Sequence, residues 1–406
     1  MANDSLRPVS GGVTAVPGFL ASGVHCGIKK NKALDLALIF SNKACAAAGL
    51  FTTNRIAAAP VRLTQKHLKS GRLQAIIANS GNANACTGPH GETVAREMAE
   101  WAARQLGIAP EQVAVASTGV IGESPPLEAL RPGISQTVKA LGPKGSKHAA
   151  RAIMTTDRRP KETAVRTTVG GQRVTVGGIA KGSGMIHPNM ATMLAFITTD
   201  IFIESSLLQQ MLSAAADRSF NMITVDGATS TNDTLLCLAN GKAGNPDLNK
   251  FPEGRAIFQE ALDTVCITLA KEIARDGEGA TKFVEIAVRH ALSFKQAKSI
   301  AISVAQSNLV KTAFFGEDAN WGRIMAAIGA AGVAVNPNRI HLFFDHVRLV
   351  EKGVGLGPFI ERQATKALKK KSFTVTIDLN LGSESATAWT CDLSYDYIKI
   401  NASYRS

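Results

Sequence analysis

One threonine in this chain sits where cleavage of the preceding peptide bond would create a catalytic group. Thr192 follows Ala191 in the segment KGSGMIHPNMATML, between a glycine-rich turn and an apolar run. If the backbone were cut between them, Thr192 would carry a nucleophilic hydroxyl and a free α-amine able to act as its base. Threonine is also a common strand residue because it is β-branched. Spacing alone leaves both interpretations open.

A second turn of small residues could stabilise a reaction intermediate. Thr118 and Gly119 follow the strand-like run VAVAS. A hydroxyl and a backbone N–H at this turn could bind a developing negative charge on oxygen. The other interpretation is a turn that only ends the strand, and the two are compatible because a rigid turn holds a donor in place. The glycine-rich loops of the chain lack the spacing of the common nucleotide-binding motifs.

The composition is typical of a globular protein with a large core. A chain of 406 residues that is 45% hydrophobic predicts two or more packed units. No basic segment followed by an apolar stretch opens the sequence, and no apolar run approaches bilayer length, which predicts a cytoplasmic protein with no membrane partner. The six cysteines are far apart and form no CxxC, which argues against disulfides and zinc.

Charge and histidine spacing exclude two further classes of site. The net charge is +13, but the basic residues are scattered and aromatic residues do not alternate with them, which argues against nucleic-acid binding. A positive field instead favours acidic small molecules. His341 and His346 would face opposite sides of one strand-like segment, so we predict no metal site there.

The elements that must position these residues alternate between helix and strand patterns. Apolar residues at helical spacing predict helices over Glu92–Leu106, Ser205–Arg218 and Ala256–Arg275. Runs rich in β-branched, aromatic or small apolar residues predict strands over Ala75–Ala78, Val113–Ala116, Phe283–Val288, Ser299–Val304, Ile340–Leu349, Ser372–Leu379 and Ala386–Asn401. We therefore predict an α/β or α+β protein in which sheets are layered with helices.

Long motifs run through nearly the whole chain in a fixed order. They are GVTAVPGFLASGVHCGIKK, NSGNANACTG, STGVIGE, MTTD, KGSGMIHPNMATML, DGATSTNDT, ARDGEGATKF, LVKTAFFGEDANWGRI and INASYRS. Together they resemble the ornithine acetyltransferase family, also called bifunctional glutamate N-acetyltransferase. Several long motifs in the right order are far more specific than any single one.

The resemblance implies a fold and a maturation step. Members have a self-processing N-terminal-threonine fold related to that of the aminopeptidase DmpA, and they cleave themselves at an Ala–Thr bond. The corresponding products here are an α chain, Met1–Ala191, and a β chain, Thr192–Ser406. The resemblance further implies that the products assemble as an α2β2 heterotetramer.

The resemblance also implies a reaction and its residues. An acetyl group would pass from N-acetylornithine to Thr192 and then to glutamate, releasing ornithine and N-acetylglutamate in arginine biosynthesis. Thr118 and Gly119 correspond to the oxyanion hole, and no cofactor or metal is implied. Some members also accept acetyl-CoA as a donor, a question that the residues leave open. The family's substrate contacts correspond to Thr155, Lys181, Thr192, Glu278, Asn401 and Ser406.

Several alternatives remain open at this point. Lys181 suits a carboxylate and Glu278 an ammonium group, but both residue types are most often solvated surface charges. The same threonine chemistry would serve an N-terminal-nucleophile amidase or aminopeptidase, with water as the acceptor. A basic binding protein without catalysis is the third function to be tested. We interpret His187 as a hydrogen-bonded structural residue, because a freed amine would already supply the base.

Overall fold

The structure is a computed structural model that describes residues 6–187 and 193–403. Ala191, Thr192 and Ser406 lie outside the described residues. The described part forms two compact units: unit 1 comprises 6–182, 193–221 and Thr229–Ala270, and unit 2 comprises 183–187, Met222–Ala228 and 271–403. The prediction of two or more packed units is confirmed. The division of the chain at Ala191–Thr192 remains a prediction.

Unit 1 is built on a mixed sheet that has nine strands within the described residues. The strands are β1 (Arg7–Val9), β2 (Phe19–Val24), β3 (Leu36–Phe51), β4 (Arg72–Asn82), β5 (Val113–Val120), β6 (Lys161–Val169), β7 (Gln172–Lys181), β8 (Leu194–Thr199) and β9 (Thr234–Ala239). Their order is β1-β6-β7-β8-β9-β3-β4-β5, with β2 paired to β3. The β4–β5 and β8–β9 pairs are parallel and the other pairs are antiparallel.

Helices follow the strands of unit 1. They are α1 (Ala59–Leu68), α2 (Gly88–Leu106), α3 (Leu127–Lys139), α4 (Ser146–Ala152), α5 (Ser205–Arg218) and α6 (Pro252–Arg275), with short 3₁₀ turns at Gly12–Ala15, Pro110–Gln112 and Phe220–Met222. All three predicted helices are confirmed, as α2, α5 and α6. Helix α2 begins earlier than its apolar stripe predicts, because Pro89 occupies the first turn, where its missing N–H costs nothing.

The sheet of unit 1 is covered on both faces. In β4, Ala75 and Ile77 pack with Met98 of α2, whereas Ile76 belongs to the cluster on the other face that includes Ile153, just after α4. A strand buried on both faces reads as a continuous apolar run instead of an alternating one. This confirms the short buried strands predicted here and the layered α/β class.

Unit 2 contains a second mixed sheet and its own helices. The strands are β10 (Phe283–Ala291), β11 (His341–Phe344), β12 (Val347–Glu351), β13 (Val354–Gly355), β14 (Ser372–Asp378) and β15 (Glu384–Cys391). The helices are α7 (Phe294–Gln306), α8 (Asn308–Phe315), α9 (Trp321–Gly329), α10 (Pro358–Leu368) and α11 (Tyr395–Ala402), with a 3₁₀ turn at Pro337–Arg339. The strand order is β13-β12-β11-β14-β10-β15, in which only the β10–β14 pair of this described sheet is parallel.

The strand predicted over Ser299–Val304 is wrong, because this segment lies inside helix α7. Ala297, Ile300, Ala301 and Val304 are buried at helical spacing along one face. The hydroxyl of Ser293 accepts the N–H of Gln296 and caps the first turn of the helix. The β-branched composition of a short window was misleading because the burial period is that of a helix.

Two other predicted strands are only partly correct. The segment 340–349 is a hairpin, in which the turn between β11 and β12 contains Asp345, with a φ of 50°, and His346. The two histidines are therefore not on one strand. The segment 386–401 is a strand only as far as Cys391, after which helix α11 begins at Tyr395.

Candidate functional site

The turn predicted after the VAVAS run is wrong, because Thr118 and Gly119 lie inside strand β5 and pair with β4 up to a register shift at Asn82. The backbone at this point nevertheless requires glycine. Gly119 has a φ of 137°, and a Cβ atom there would lie 2.3 Å from the carbonyl carbon of Gly81 and 2.4 Å from the nitrogen of Asn82. These are backbone atoms of the neighbouring parallel strand β4, so they cannot move aside as a flexible side chain would. The backbone of Thr118 and Gly119 is thus fixed by close strand packing, as the predicted donor role requires.

Lys181, the last residue of β7, contacts Thr118 of strand β5. Its side chain is buried, and Nζ donates a hydrogen bond to Oγ1 of Thr118 over 3.3 Å. The alternative that Lys181 is a solvated surface charge is therefore wrong. An ammonium group can only donate, so the Thr118 oxygen accepts and its hydroxyl hydrogen remains to be donated to another group.

The chain just after Thr192 lies beside Lys181. Leu194, the first residue of β8, pairs with Lys181 on one side and with Thr234 on the other. The N–H of Met193 donates to Oδ1 of Asp233 over 3.0 Å, and the carbonyl of Met193 accepts from the N–H of Thr234 over 3.1 Å. Met193 is therefore held by both its backbone polar groups, and it is the residue bonded to Thr192.

Asp233 is an unusual group in this region. Its side chain is fully buried, and Oδ2 has no hydrogen-bond partner among the residues that the structure describes. Burial raises its pKa well above the ordinary value, although the Met193 N–H and the Lys181 charge act in the opposite direction.

Asp157, for which the sequence predicted no role, connects Thr155 to the same region. Oδ2 of Asp157 accepts the N–H of Thr155 over 3.0 Å, and Oδ1 accepts the N–H of Gly182 over 2.8 Å. Oδ1 also accepts from Nζ of Lys161 over 2.6 Å, in an ion pair whose side chains are both fully buried. In the sequence, Asp157 is the last residue of the MTTD motif, in which only Thr155 was assigned a role.

A third lysine, Lys29, is half-buried and adds positive charge to this part of unit 1. Nζ of Lys29 donates to the carbonyls of Leu34 and Met154 over 2.9 and 2.7 Å. Burial lowers its pKa to about 8, with repulsion from Lys181 in the same direction and attraction to Asp35 opposing it. Such a concentration of positive charge suits a carboxylate.

Asparagine side chains hold the backbone next to Thr118 in place. Nδ2 of Asn232 donates to the carbonyls of Ser117 and Ala83 over 2.9 and 2.6 Å. The hydroxyl of Ser117 donates to Oδ1 of Asn79 over 2.6 Å, and Nδ2 of Asn79 donates to the carbonyl of Asn82. These side chains bond to the protein itself, so the NSGNAN and STND segments have a supporting role that motif matching could not reveal.

Unit 2 brings together the other two predicted contacts. The carboxylate of Glu278 is buried, and its Oε2 accepts from Nδ2 of Asn401, in helix α11, over 2.8 Å. A Cβ atom on Gly184 would lie 2.4 Å from this carboxylate, so the small residue makes room for it. The alternative that Glu278 is a solvated surface charge is also wrong.

The segment before the predicted cleavage point is fixed by Asp226. Its carboxylate accepts the N–H groups of Met185 and Ile186 over 2.6 and 2.9 Å, and the hydroxyl of Tyr397 over 3.2 Å. Nδ1 of His187 accepts from the side-chain amide of Gln306 over 2.7 Å. Burial lowers the pKa of His187, with Asp226 opposing. These contacts agree with a structural role for the histidine.

The predicted residues therefore fall into three groups. Unit 1 brings together Thr118, Gly119, Thr155 and Lys181, and unit 2 brings together Glu278 and Asn401. Ala191, Thr192 and Ser406 are outside the described residues. Within the described ranges, no group of three or more His, Cys, Asp or Glu side chains could hold a metal ion, and no helix is long and apolar enough to cross a bilayer.

Comparison with known proteins gives concordant matches. The sequence model of the ArgJ family matches residues 20–406. The arginine biosynthesis bifunctional protein ArgJ of Symbiobacterium thermophilum is 52% identical over 400 residues, which cover 98% of this chain and 99% of that protein. Its namesake in Geobacter sulfurreducens is 53% identical over 391 residues, covering 96% and 100%. The solved ornithine acetyltransferase of Mycobacterium tuberculosis, complexed with ornithine, is 42% identical and covers 47% of this chain and 100% of its own, with a TM-score of 0.43.

Proposed function

The chain belongs to the ArgJ family, and from this membership we propose that it transfers an acetyl group from N-acetylornithine to glutamate in arginine biosynthesis. The products are ornithine and N-acetylglutamate. The reaction proceeds through an acetyl ester on Thr192 and uses no cofactor. A cytoplasmic location follows from this place in amino-acid biosynthesis.

Self-cleavage comes first. The hydroxyl of Thr192 attacks the carbonyl carbon of Ala191, and the peptide C–N bond breaks, which frees the α-amine of Thr192 and leaves an ester on its oxygen. Water then hydrolyses this ester to the carboxylate of Ala191 and the free hydroxyl of Thr192. The contacts of Met185 and Ile186 with Asp226, and of Met193 with Asp233, support this step because they restrain the chain on both sides of the bond.

The sheet of unit 1 supports the proposal that both products stay together. Strand β7 lies in the proposed α chain and β8 in the proposed β chain, and they pair over six residues, from Val176–Thr199 to Lys181–Leu194. Strands β3 and β9 pair across the same division. A cut at Ala191–Thr192 would leave these ladders intact, and we propose that the two chains then assemble as α2β2.

The observation that carries the proposed chemistry is the hydrogen bond from Lys181 to Thr118. During acetyl transfer, the α-amine of Thr192 takes the hydroxyl proton as oxygen attacks the acetyl carbonyl of N-acetylornithine, and it gives that proton to the ornithine nitrogen as the C–N bond breaks. The amine of glutamate then attacks the acetyl ester, the ester C–O bond breaks, and the Thr192 oxygen regains a proton. In both steps the Thr118 hydroxyl and the Gly119 N–H donate to the oxyanion. Because the Thr118 oxygen already accepts from a cation, its hydrogen is directed elsewhere and its O–H is polarised, which strengthens it as a donor.

Charge supports binding of amino-acid substrates. The buried Lys181, with Lys29 near it, suits a carboxylate, and Thr155 is tied to the same place through Asp157. Glu278 and Asn401 provide an anionic and a neutral acceptor that suit an ammonium group. We propose Thr155, Lys181, Glu278, Asn401 and Ser406 as substrate contacts.

An assay of the purified protein tests the function directly. N-acetylornithine and glutamate are supplied together, and N-acetylglutamate and ornithine are quantified by mass spectrometry. We expect equal amounts of both products and no acetate when glutamate is omitted. Acetate release without glutamate would identify the amidase alternative instead, and no turnover by protein that has matured would refute both enzymes. The same assay with acetyl-CoA decides whether there is a second donor.

A further inference from the structure

Asp157 has no role in the proposed mechanism, yet it touches two parts of it. Its side chain is fully buried and accepts three hydrogen bonds, from the N–H of Thr155, the N–H of Gly182 and Nζ of Lys161. Thr155 and Gly182 are separated in the sequence by strands β6 and β7. A single carboxylate therefore contacts the backbone of Thr155, a proposed substrate contact, and that of Gly182. Gly182 directly follows Lys181, a second proposed substrate contact.

From this geometry we infer that Asp157 is a positioning residue for substrate binding, which fixes the backbone of Thr155 and that of Gly182, the residue bonded to Lys181. The inference rests on the proposed function, in which Thr155 and Lys181 contact the substrate. A carboxylate that merely paired with Lys161 would need neither of the two backbone contacts.

The charge of Asp157 also acts on Lys181. The charges that act on it include Lys29, which repels it, and Asp157 and Asp233, which attract it. Burial raises the pKa of Asp233 well above its ordinary value, so the two aspartates differ in the direction of their shifts. Asp157 stays ionised: burial raises its pKa, but Lys161, Lys181 and the backbone N–H groups lower it to about 2. It is therefore a permanent anion beside two buried lysines.

Two substitutions separate positioning from stability. In Asp157→Asn, the introduced amide has one acceptor oxygen, so the N–H of Thr155 loses its partner and Lys181 loses the attraction of one carboxylate. Because Lys161 then loses the carboxylate that it contacts over 2.6 Å, this variant can fail to fold. The double variant Asp157→Asn/Lys161→Met removes both charges of the ion pair and preserves the charge balance, while Lys181 still lacks Asp157.

Asp200 offers a matched control. It is also a buried aspartate of unit 1, and it accepts the backbone N–H of Thr175 over 2.7 Å. It directly follows the last residue of β8, whereas Met193 directly precedes the first. Asp200→Asn retains that acceptor. We expect the activity and the substrate affinities of Asp200→Asn to match those of the wild type.

The experiment measures kcat and KM for N-acetylornithine and glutamate from pH 6 to 10, and the affinity for ornithine by calorimetry. We expect both Asp157 variants to raise KM and weaken ornithine binding at least about tenfold, with a smaller change in kcat. We also expect the pH above which KM rises to be lower than in the wild type, because the charged form of Lys181 has lost the attraction of that carboxylate.

Each outcome decides the question. If the double variant binds ornithine like Asp200→Asn and has the same pH profile of KM, the inference is overturned. A lower active fraction with unchanged KM also overturns it, since that result describes only a structural role. If the wild type binds ornithine but transfers no acetyl group, the proposed function fails, while the calorimetric comparison still tests Asp157.

Discussion

The ammonium nitrogen of Lys181 lies 3.3 Å from the hydroxyl oxygen of Thr118, and both side chains are buried. The contact links the end of β7 to the end of β5. In this contact the Thr118 oxygen accepts a hydrogen bond from the lysine, so the hydroxyl hydrogen is left to be donated to another group. A buried ammonium group and a directed O–H are thus part of one arrangement.

Thr118→Val tests the donor directly. Valine keeps the shape of threonine and removes the hydroxyl, so we expect kcat for acetyl transfer to fall about 10²–10³-fold, with a smaller change in KM. Steady-state kinetics on fully matured protein measures this. Thr118→Ser should retain most of the activity, and Thr168→Val, at an exposed position of β6, should retain all of it. A valine variant as active as the Thr168 control would exclude the hydroxyl from the oxyanion hole.

Thr192→Ala tests the proposed nucleophile. Alanine has no hydroxyl, so we expect the chain to remain a single species of 42.7 kDa that transfers no acetyl group. Denaturing electrophoresis and intact mass report cleavage. Thr192→Ser retains a hydroxyl and should still yield two fragments. Normal fragments from the alanine variant would assign the cleavage to another group.

Gly184→Ala tests the placement of Glu278. The new Cβ atom would lie 2.4 Å from the carboxylate and would force it to move. We expect kcat/KM to fall about tenfold to hundredfold, because small displacements of binding groups are costly in catalysis. Gly329→Ala is the control, since nothing lies within 4 Å of a Cβ atom there. Equal activity of the two variants would show that the position of the carboxylate is unimportant.

The free energy of unfolding should depend on pH in opposite directions through two buried aspartates, Asp157 and Asp200. Lys161 and Lys181 overcome the effect of burial and lower the pKa of Asp157 from 3.8 to about 2. Its carboxylate therefore adds about 2 kcal/mol to the free energy of unfolding above pH 4, a contribution lost as the pH falls through 2. Burial raises the pKa of Asp200, so its ionisation lowers stability as the pH rises above the ordinary value.

The corresponding measurement is denaturant unfolding at a fixed protein concentration between pH 2 and 6. Asp157→Asn should be destabilised by about 3–5 kcal/mol at pH 6, because it breaks a buried ion pair. Its deficit relative to the wild type should shrink as the pH is lowered. The wild type should lose stability relative to Asp200→Asn as the pH is raised. The same trend in both variants would contradict the opposite pKa shifts.

The differences between prediction and structure have physical causes. The window Ser299–Val304 has strand composition, but its burial follows the helical period of α7, which a six-residue run cannot reveal. The hairpin turns at Asp345, whose φ is positive. Only a minority of aspartates have a positive φ, so the residue type alone does not predict the turn. Asp157 was missed because only the folded structure shows that its side chain is buried and that it accepts from Gly182, 25 residues away, in addition to the nearby Thr155 and Lys161.

The sequence by itself determined the covalent order of the motifs, and with it the family, the Ala191–Thr192 junction and the residues to be tested. Motifs record residue types at fixed spacing, so they carry chemistry but not burial. Only the tertiary structure decided that Lys181 and Glu278 are buried, and that Lys181 meets a threonine 63 residues away. That contact depends on strand pairing and packing between distant segments. The free energy of these interactions depends on the whole fold, so a short window of sequence does not determine it.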